Sequence, residues 1–193
     1  MNYLDQLDSN ADFVAIDVET TGYSTQLDVI VEIGAIRYKN GVEIDRLVTL
    51  VKPATCMLPW ITHLTGITDR MLAHAPSPSK VAGKLVKFLG YRPMVAHNAA
   101  FDVPIIERFL RRHAPGRYSG VDGLWSPSPV LCTLRLSRRL LPHIHSRRLK
   151  ALVEYFNFEP RLGSRARYHR AGTDAEAAAH IFFCLASLRR RKE

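Results

Sequence analysis

Only three cysteines, Cys56, Cys132 and Cys184, occur in 193 residues. They are odd in number, far apart and without zinc-ligand spacing. That argues against a disulfide framework or a cysteine zinc site and points to a reducing compartment. No apolar run approaches the roughly 18 residues of a membrane-spanning helix. The opening Met1-Asn2-Tyr3-Leu4-Asp5 is acidic and lacks a secretory-signal pattern, so a cytoplasmic location with no membrane partner is expected. There is no internal repeat and no low-complexity linker. The remaining composition, 47% apolar, suits one soluble domain over residues 1–193, with a short basic tail at about 189–193.

The net charge is +9, and it is unevenly spread. Residues 135–170 hold ten Lys/Arg (Arg135, Arg138, Arg139, Arg147, Arg148, Lys150, Arg161, Arg165, Arg167, Arg170) against Glu154 and Glu159. Ten less two places +8 of the +9 in that segment. A block of this kind suits a polyanionic partner, although it can also be a solvated face. His143 and His145 lie within it without ligand-type spacing and read as surface residues.

The most informative stretch is Phe13-Val14-Ala15-Ile16-Asp17-Val18-Glu19-Thr20-Thr21-Gly22. It reads as a buried strand with Phe13, Ala15, Asp17 and Glu19 on one face and Val14, Ile16 and Val18 on the other. Two carboxylates then leave a strand end in the same direction, which is costly unless a cation joins them. Val29–Tyr38 and Val42–Val51 read as an antiparallel pair about the Asn40-Gly41 turn. Short helices are expected at 59–66 and 68–73 and an amphipathic one at 79–89. A strand at 93–97 leads into a helix over 99–113 with Phe101, Ile105, Ile106, Phe109 and Leu110 on its apolar face. After a loop at 114–129 come a strand at 130–133 and helices at 134–141 and 147–157. The basic stretch 160–172 shows no apolar periodicity and is expected to be loose, with His169 away from the acids when no substrate is bound. Thr173 and Glu176 fit a capping box that starts the last helix at Asp174. Hairpin strands followed by alternating strands and helices give an α/β fold with a mixed sheet.

Asp102 and Asp174 sit at helix starts on the faces that look inward. Either alone is explained by the helix dipole. Together with Asp17 and Glu19 they make four acids at element ends, a set that suits Mg²⁺ or Mn²⁺. Paired cations sharing carboxylates serve in-line attack on phosphodiesters. His169, tethered five residues before Asp174, is a candidate general base.

These residues resemble the DEDDh branch of the DEDD 3′→5′ exonucleases. The matching motifs are Phe13–Gly22 with Asp17 and Glu19, His97-Asn98-Ala99-Ala100-Phe101-Asp102, and His169-x-x-x-x-Asp174, with Ile61–Thr68 as a further similar stretch. The sister branch would need Tyr at position 170, which is Arg170. The resemblance implies a ribonuclease H-like fold, a five-stranded mixed sheet flanked by helices. It implies that Asp17 bridges two divalent cations, Mg²⁺ or Mn²⁺. Glu19 and Asp174 would complete the site for the attacking water, Asp102 would hold the second cation, and His169 would take the proton. Thr20, Thr21 and Gly22, with Asn98 and Phe101, would hold the terminal nucleotide. The partner it implies is nucleic acid with a single-stranded 3′ end. DNA and RNA both stay open, as do single against double strands, a polymerase partner chain and a homodimer.

Overall fold

The computed structural model describes residues 12–24, 26–117, 129–159 and 168–190. Arg161, Arg165, Arg167 and the end of the basic tail, 191–193, lie outside the described residues. A five-stranded sheet contains β1 (Asp12–Thr20), β2 (Ile30–Lys39), β3 (Val42–Leu50), β4 (Met94–Ala96) and β5 (Val130–Cys132). Its order is β3-β2-β1-β4-β5, with β1–β2 and β2–β3 antiparallel and β1–β4 and β4–β5 parallel. This is the mixed sheet expected from the sequence. The Asn40-Gly41 turn has positive φ at both residues, as a tight hairpin turn requires.

The period-2 pattern of β1 separates two cores. Val14, Ile16 and Val18 pack with α3 (Pro78–Leu89) and α4 (Ala99–His113), through Leu85, Leu89, Ile105 and Ile106. Phe13 and Ala15 face α5 (Thr133–Leu140), α6 (Leu149–Tyr155) and α7 (Ala171–Arg190). On that side Phe13 stacks on Tyr38 at 5.5 Å and meets Phe182 edge-on at 5.2 Å. Burying aromatic rings of this size contributes heavily to folding stability. A third, smaller core beneath α1 (Pro59–Thr65) and α2 (Asp69–Ala73) joins Ile61, Ile67 and Leu72 to Val31.

The last helix begins earlier than the capping box predicts. Thr173 is buried inside its first turn, and Glu176 is ion-paired with Arg46 at 3.2 Å, so neither caps a start at Asp174. Instead Ala171 N–H donates to Glu32 Oε2 at 2.9 Å, a partner 139 residues away. The carbonyl of Arg170 accepts from the N–H groups of Thr173 and Asp174. Gly34 makes the docking possible: a Cβ there would stand 2.1 Å from the Ala171 carbonyl oxygen. The bare backbone of β2 thus sets how closely α7 approaches the sheet. Ala175, Ala177, Ala178 and Ala179 are all buried, so small side chains preserve that close approach.

Candidate active site

Asp17 and Glu19 lie at the carboxyl end of β1, opposite Gly34 and Glu32 of β2, and the pairing register shifts immediately afterwards at Thr20. Irregularities of this kind re-aim side chains beside functional sites. Asp174 enters from the first turn of α7. Oxygens of Asp17, Glu19 and Asp174 lie within 4.8 Å of one another. Asp102 comes from the first turn of α4 on the opposite face and stands outside this trio. It is buried, and its Oδ1 accepts the Val18 N–H at 3.3 Å, so the backbone of β1 fixes its carboxylate beside the trio.

Like charges this close, with little water, disfavour ionisation. Burial and then repulsion from Asp102 and Asp174 push Asp17 well above the usual carboxylate range. Burial first, with Asp174 and Glu32 next, raises Glu19 to about 8. Burial raises Asp102 and Asp174 to about 7 each. Asp174 Oδ1 is also buried with no hydrogen-bond partner. An all-oxygen donor set, mutual repulsion and an unpartnered carboxylate oxygen together fit a hard divalent cation.

His169 lies in the same chamber as the four acids rather than away from them. Its N–H donates to Asp174 Oδ2 at 3.2 Å, and its backbone adopts φ 61°. The expectation of a loose segment fails at 168–172 because the chain there is tied to α7 and to Glu32; residues 160–167 lie outside the described residues. Burial lowers the His169 pKa, favouring neutral imidazole.

Sequence reasoning missed Glu32. It is 2% exposed, and both its oxygens accept Arg170 Nε–H, at 3.1 and 3.0 Å. A lone glutamate inside the apolar run Val29-Ile30-Val31-Glu32-Ile33 was the signal that could have found it. It holds Arg170 next to His169 and thereby anchors the start of α7.

The chamber is also lined by Thr20, Gly22, Asn98 and Phe101. Asn98 adopts φ 60° at the start of α4. Thr21 is not among the lining residues. Its hydroxyl donates to Asp28 Oδ1 at 2.9 Å, while Asp28 Oδ2 accepts the Ser24 N–H at 2.6 Å. Asp28 therefore braces the turn, and Gly22 leaves room for it: a Cβ there would stand 2.6 Å from the carboxylate. At the chamber mouth Tyr23, 66% exposed, lies against Trp60 with ring centroids 4.7 Å apart. His97, whose Nδ1 is 2.9 Å from Thr133 Oγ1, is pushed down to about 4 by burial.

A ribonuclease H-like sheet with acids converging at the end of its central strand defines an α/β class with an acid-centred site. The particular family is the exonucleases: their family profile matches residues 14–182, and the chain belongs to that family. It is 39% identical over 171 residues to a PolC-type DNA polymerase III from Caldanaerobacter subterraneus, covering 89% of this chain and 11% of that protein. It is 31% identical over 170 residues to the DNA polymerase III subunit epsilon of Aquifex aeolicus, covering 88% of this chain and 78% of that one. The chain thus spans about a tenth of the PolC-type relatives and most of the epsilon subunit. Exonuclease X, solved with 5′-overhanging duplex DNA, superposes with TM-score 0.68 at 26% identity, over 91% of both chains.

Proposed function

We propose that this chain is a metal-dependent 3′→5′ exonuclease that removes nucleoside 5′-monophosphates from single-stranded 3′ ends of nucleic acid. The observation that carries this reading is the carboxylate trio within 4.8 Å, with His169 in the same chamber. Asp17, Glu19 and Asp174, with Asp102 beside them, would hold two divalent cations, Mg²⁺ or Mn²⁺. Such cations supply charge stabilisation at the reacting phosphate and make water more acidic.

The protein's own part is to position and to move a proton. Neutral His169 takes the proton from the attacking water at an imidazole nitrogen. The His169 N–H to Asp174 bond keeps base and carboxylate in one register. Thr20, Gly22, Asn98 and Phe101 enclose the terminal sugar and base, and Tyr23, backed by Trp60, offers a ring face to the base. Thr21 serves the same pocket indirectly by holding the turn through Asp28. Residues 1–193 would act as one domain in the cytoplasm, serving a polymerase chain or trimming free ends.

The test is digestion of matched 5′-labelled single-stranded DNA, single-stranded RNA and duplex, with Mg²⁺ or Mn²⁺ and with EDTA. A metal-dependent ladder shortening from the 3′ end is expected, and a circular strand should stay intact. Cutting of the circle, or no cleavage of any substrate with either metal, would overturn the reading.

A further inference from the structure

The acid centre opens in two directions of opposite character. One is the chamber of about 270 Å³ described above, walled by carboxylates, small polar groups and the rings of Tyr23 and Phe101. Among the described residues no Lys or Arg lines it. The other is a wider groove of about 900 Å³ that shares His97, Asn98, His169 and Asp174 with the chamber and runs between α5 and α6. Arg138, Arg147, Arg148 and Lys150 line it, and Asp174 is its one carboxylate among the described residues.

These cations are not equivalent. Arg147 is spent on the fold: its Nη2 donates to the carbonyls of Leu141 and Pro142 at 2.8 and 2.9 Å. Arg138 and Arg148 are exposed. Lys150 stands 4.0 Å from Glu154, with both side chains about two-thirds exposed, so water screens that pair. Three solvated cations along a groove that ends at the acids do not serve the core. Because the groove shares His169 and Asp174 with the chamber, a phosphate chain that reaches the acids along it passes these cations.

We propose that this groove carries the upstream strand of the substrate, with Arg138, Arg148 and Lys150 contacting its phosphates, while the chamber takes the 3′-terminal nucleotide. The inference rests on the function proposed above and adds the strand's direction. The bond cut lies where groove and chamber meet, at Asp174 and His169. Backbone contacts of this type bind without regard to sequence and weaken with salt.

The experiment compares an octathymidylate labelled at its 5′ end with the p-nitrophenyl ester of thymidine 5′-monophosphate, which has no upstream phosphate. The readout is the ratio of kcat/KM for the two, in the 193-residue chain and in its triple variant R138A/R148A/K150A. The ratio should fall at least tenfold in the variant, with the loss in KM. The log–log salt slope of oligonucleotide binding should flatten by about 2, the value for three contacts to a single strand. A ratio within twofold of the parent's would overturn the groove, and so would equal losses on both substrates. Fluorescence anisotropy of the labelled strand in EDTA tests the groove without cleavage. If the parent cleaves nothing but binds the strand at least tenfold more tightly than the variant, the proposed reaction fails and the groove stands. Equal binding by the two proteins overturns the groove whatever the catalytic result.

Discussion

On the α7 side of the acid centre, Arg170 is held by both oxygens of Glu32, and Gly34 lets the helix start lie against β2. On the α5–α6 side, Arg138, Arg148 and Lys150 stand in water. Both sides are basic in sequence, yet Arg170, like Arg147, is structural, whereas Arg138, Arg148 and Lys150 are free to meet a ligand. Net charge does not distinguish these roles; burial and partners do. A guanidinium beside a buried carboxylate offsets a desolvation cost, whereas a solvated one keeps its charge available at little conformational cost.

The largest effect expected belongs to neither side but to the acids between them. Asp17→Asn should reduce cleavage to background, yet metal-free thermal stability should hold or rise, because one of several mutually repelling groups can no longer ionise. A marked drop in melting temperature in EDTA would make Asp17 a structural residue.

Next in size is His169→Ala, expected to lower turnover about 10²–10⁴-fold, the usual range for general acid–base catalysis. Mn²⁺ affinity, measured by calorimetry, should change little. Near-normal turnover at saturating Mn²⁺ would remove His169 from the proton transfer.

Two substitutions sharpen the contrast between the sides. Gly34→Ala puts a methyl into the Ala171 backbone and should destabilise the fold by about 1–3 kcal/mol, as overpacking does. Denaturant unfolding measures this. Glu32→Gln should cost stability where Arg148→Ala costs almost none, since surface charges contribute little. Equal unfolding midpoints for Glu32→Gln and Arg148→Ala would erase the distinction drawn here.

The remaining expectation concerns pH. In the metal-free protein Glu19 sits at about 8 and Asp102 and Asp174 at about 7, against roughly 4 in an unfolded chain. The folded state therefore holds more protons than the unfolded state across that window. Their contribution to stability is fully present below pH about 4 and is lost as pH rises through 7 to 8. Melting in EDTA should show this fall, and Mn²⁺ should stabilise more at pH 8 than at pH 5.

The residues that could be read directly are those whose neighbours lie nearby in sequence. Alternation along Phe13–Glu19 gave both faces of β1, and helical spacing placed Asp102 on the buried side of α4 beside Ile105 and Ile106. The start of α7 could not be read that way. Its cap comes from Glu32, far away in sequence, and Thr173-x-x-Glu176 imitates a local cap while its members face the core and Arg46. The Tyr23–Trp60 pair was equally hidden, because exposed rings leave no periodic pattern. His169 was identified by spacing to Asp174, but its position beside the acids depends on the same long-range anchoring of α7.

The left-handed backbone at His169 has a consequence for anyone engineering this protein. A side chain with a Cβ pays on the order of 1 kcal/mol to sit there, and glycine pays none. His169→Gly should therefore be tolerated, or even raise heat resistance, while removing the proposed base. Under the proposed function, a directed-evolution screen scored on survival after heating would then enrich inactive variants at this codon, so selection has to include turnover from the first round.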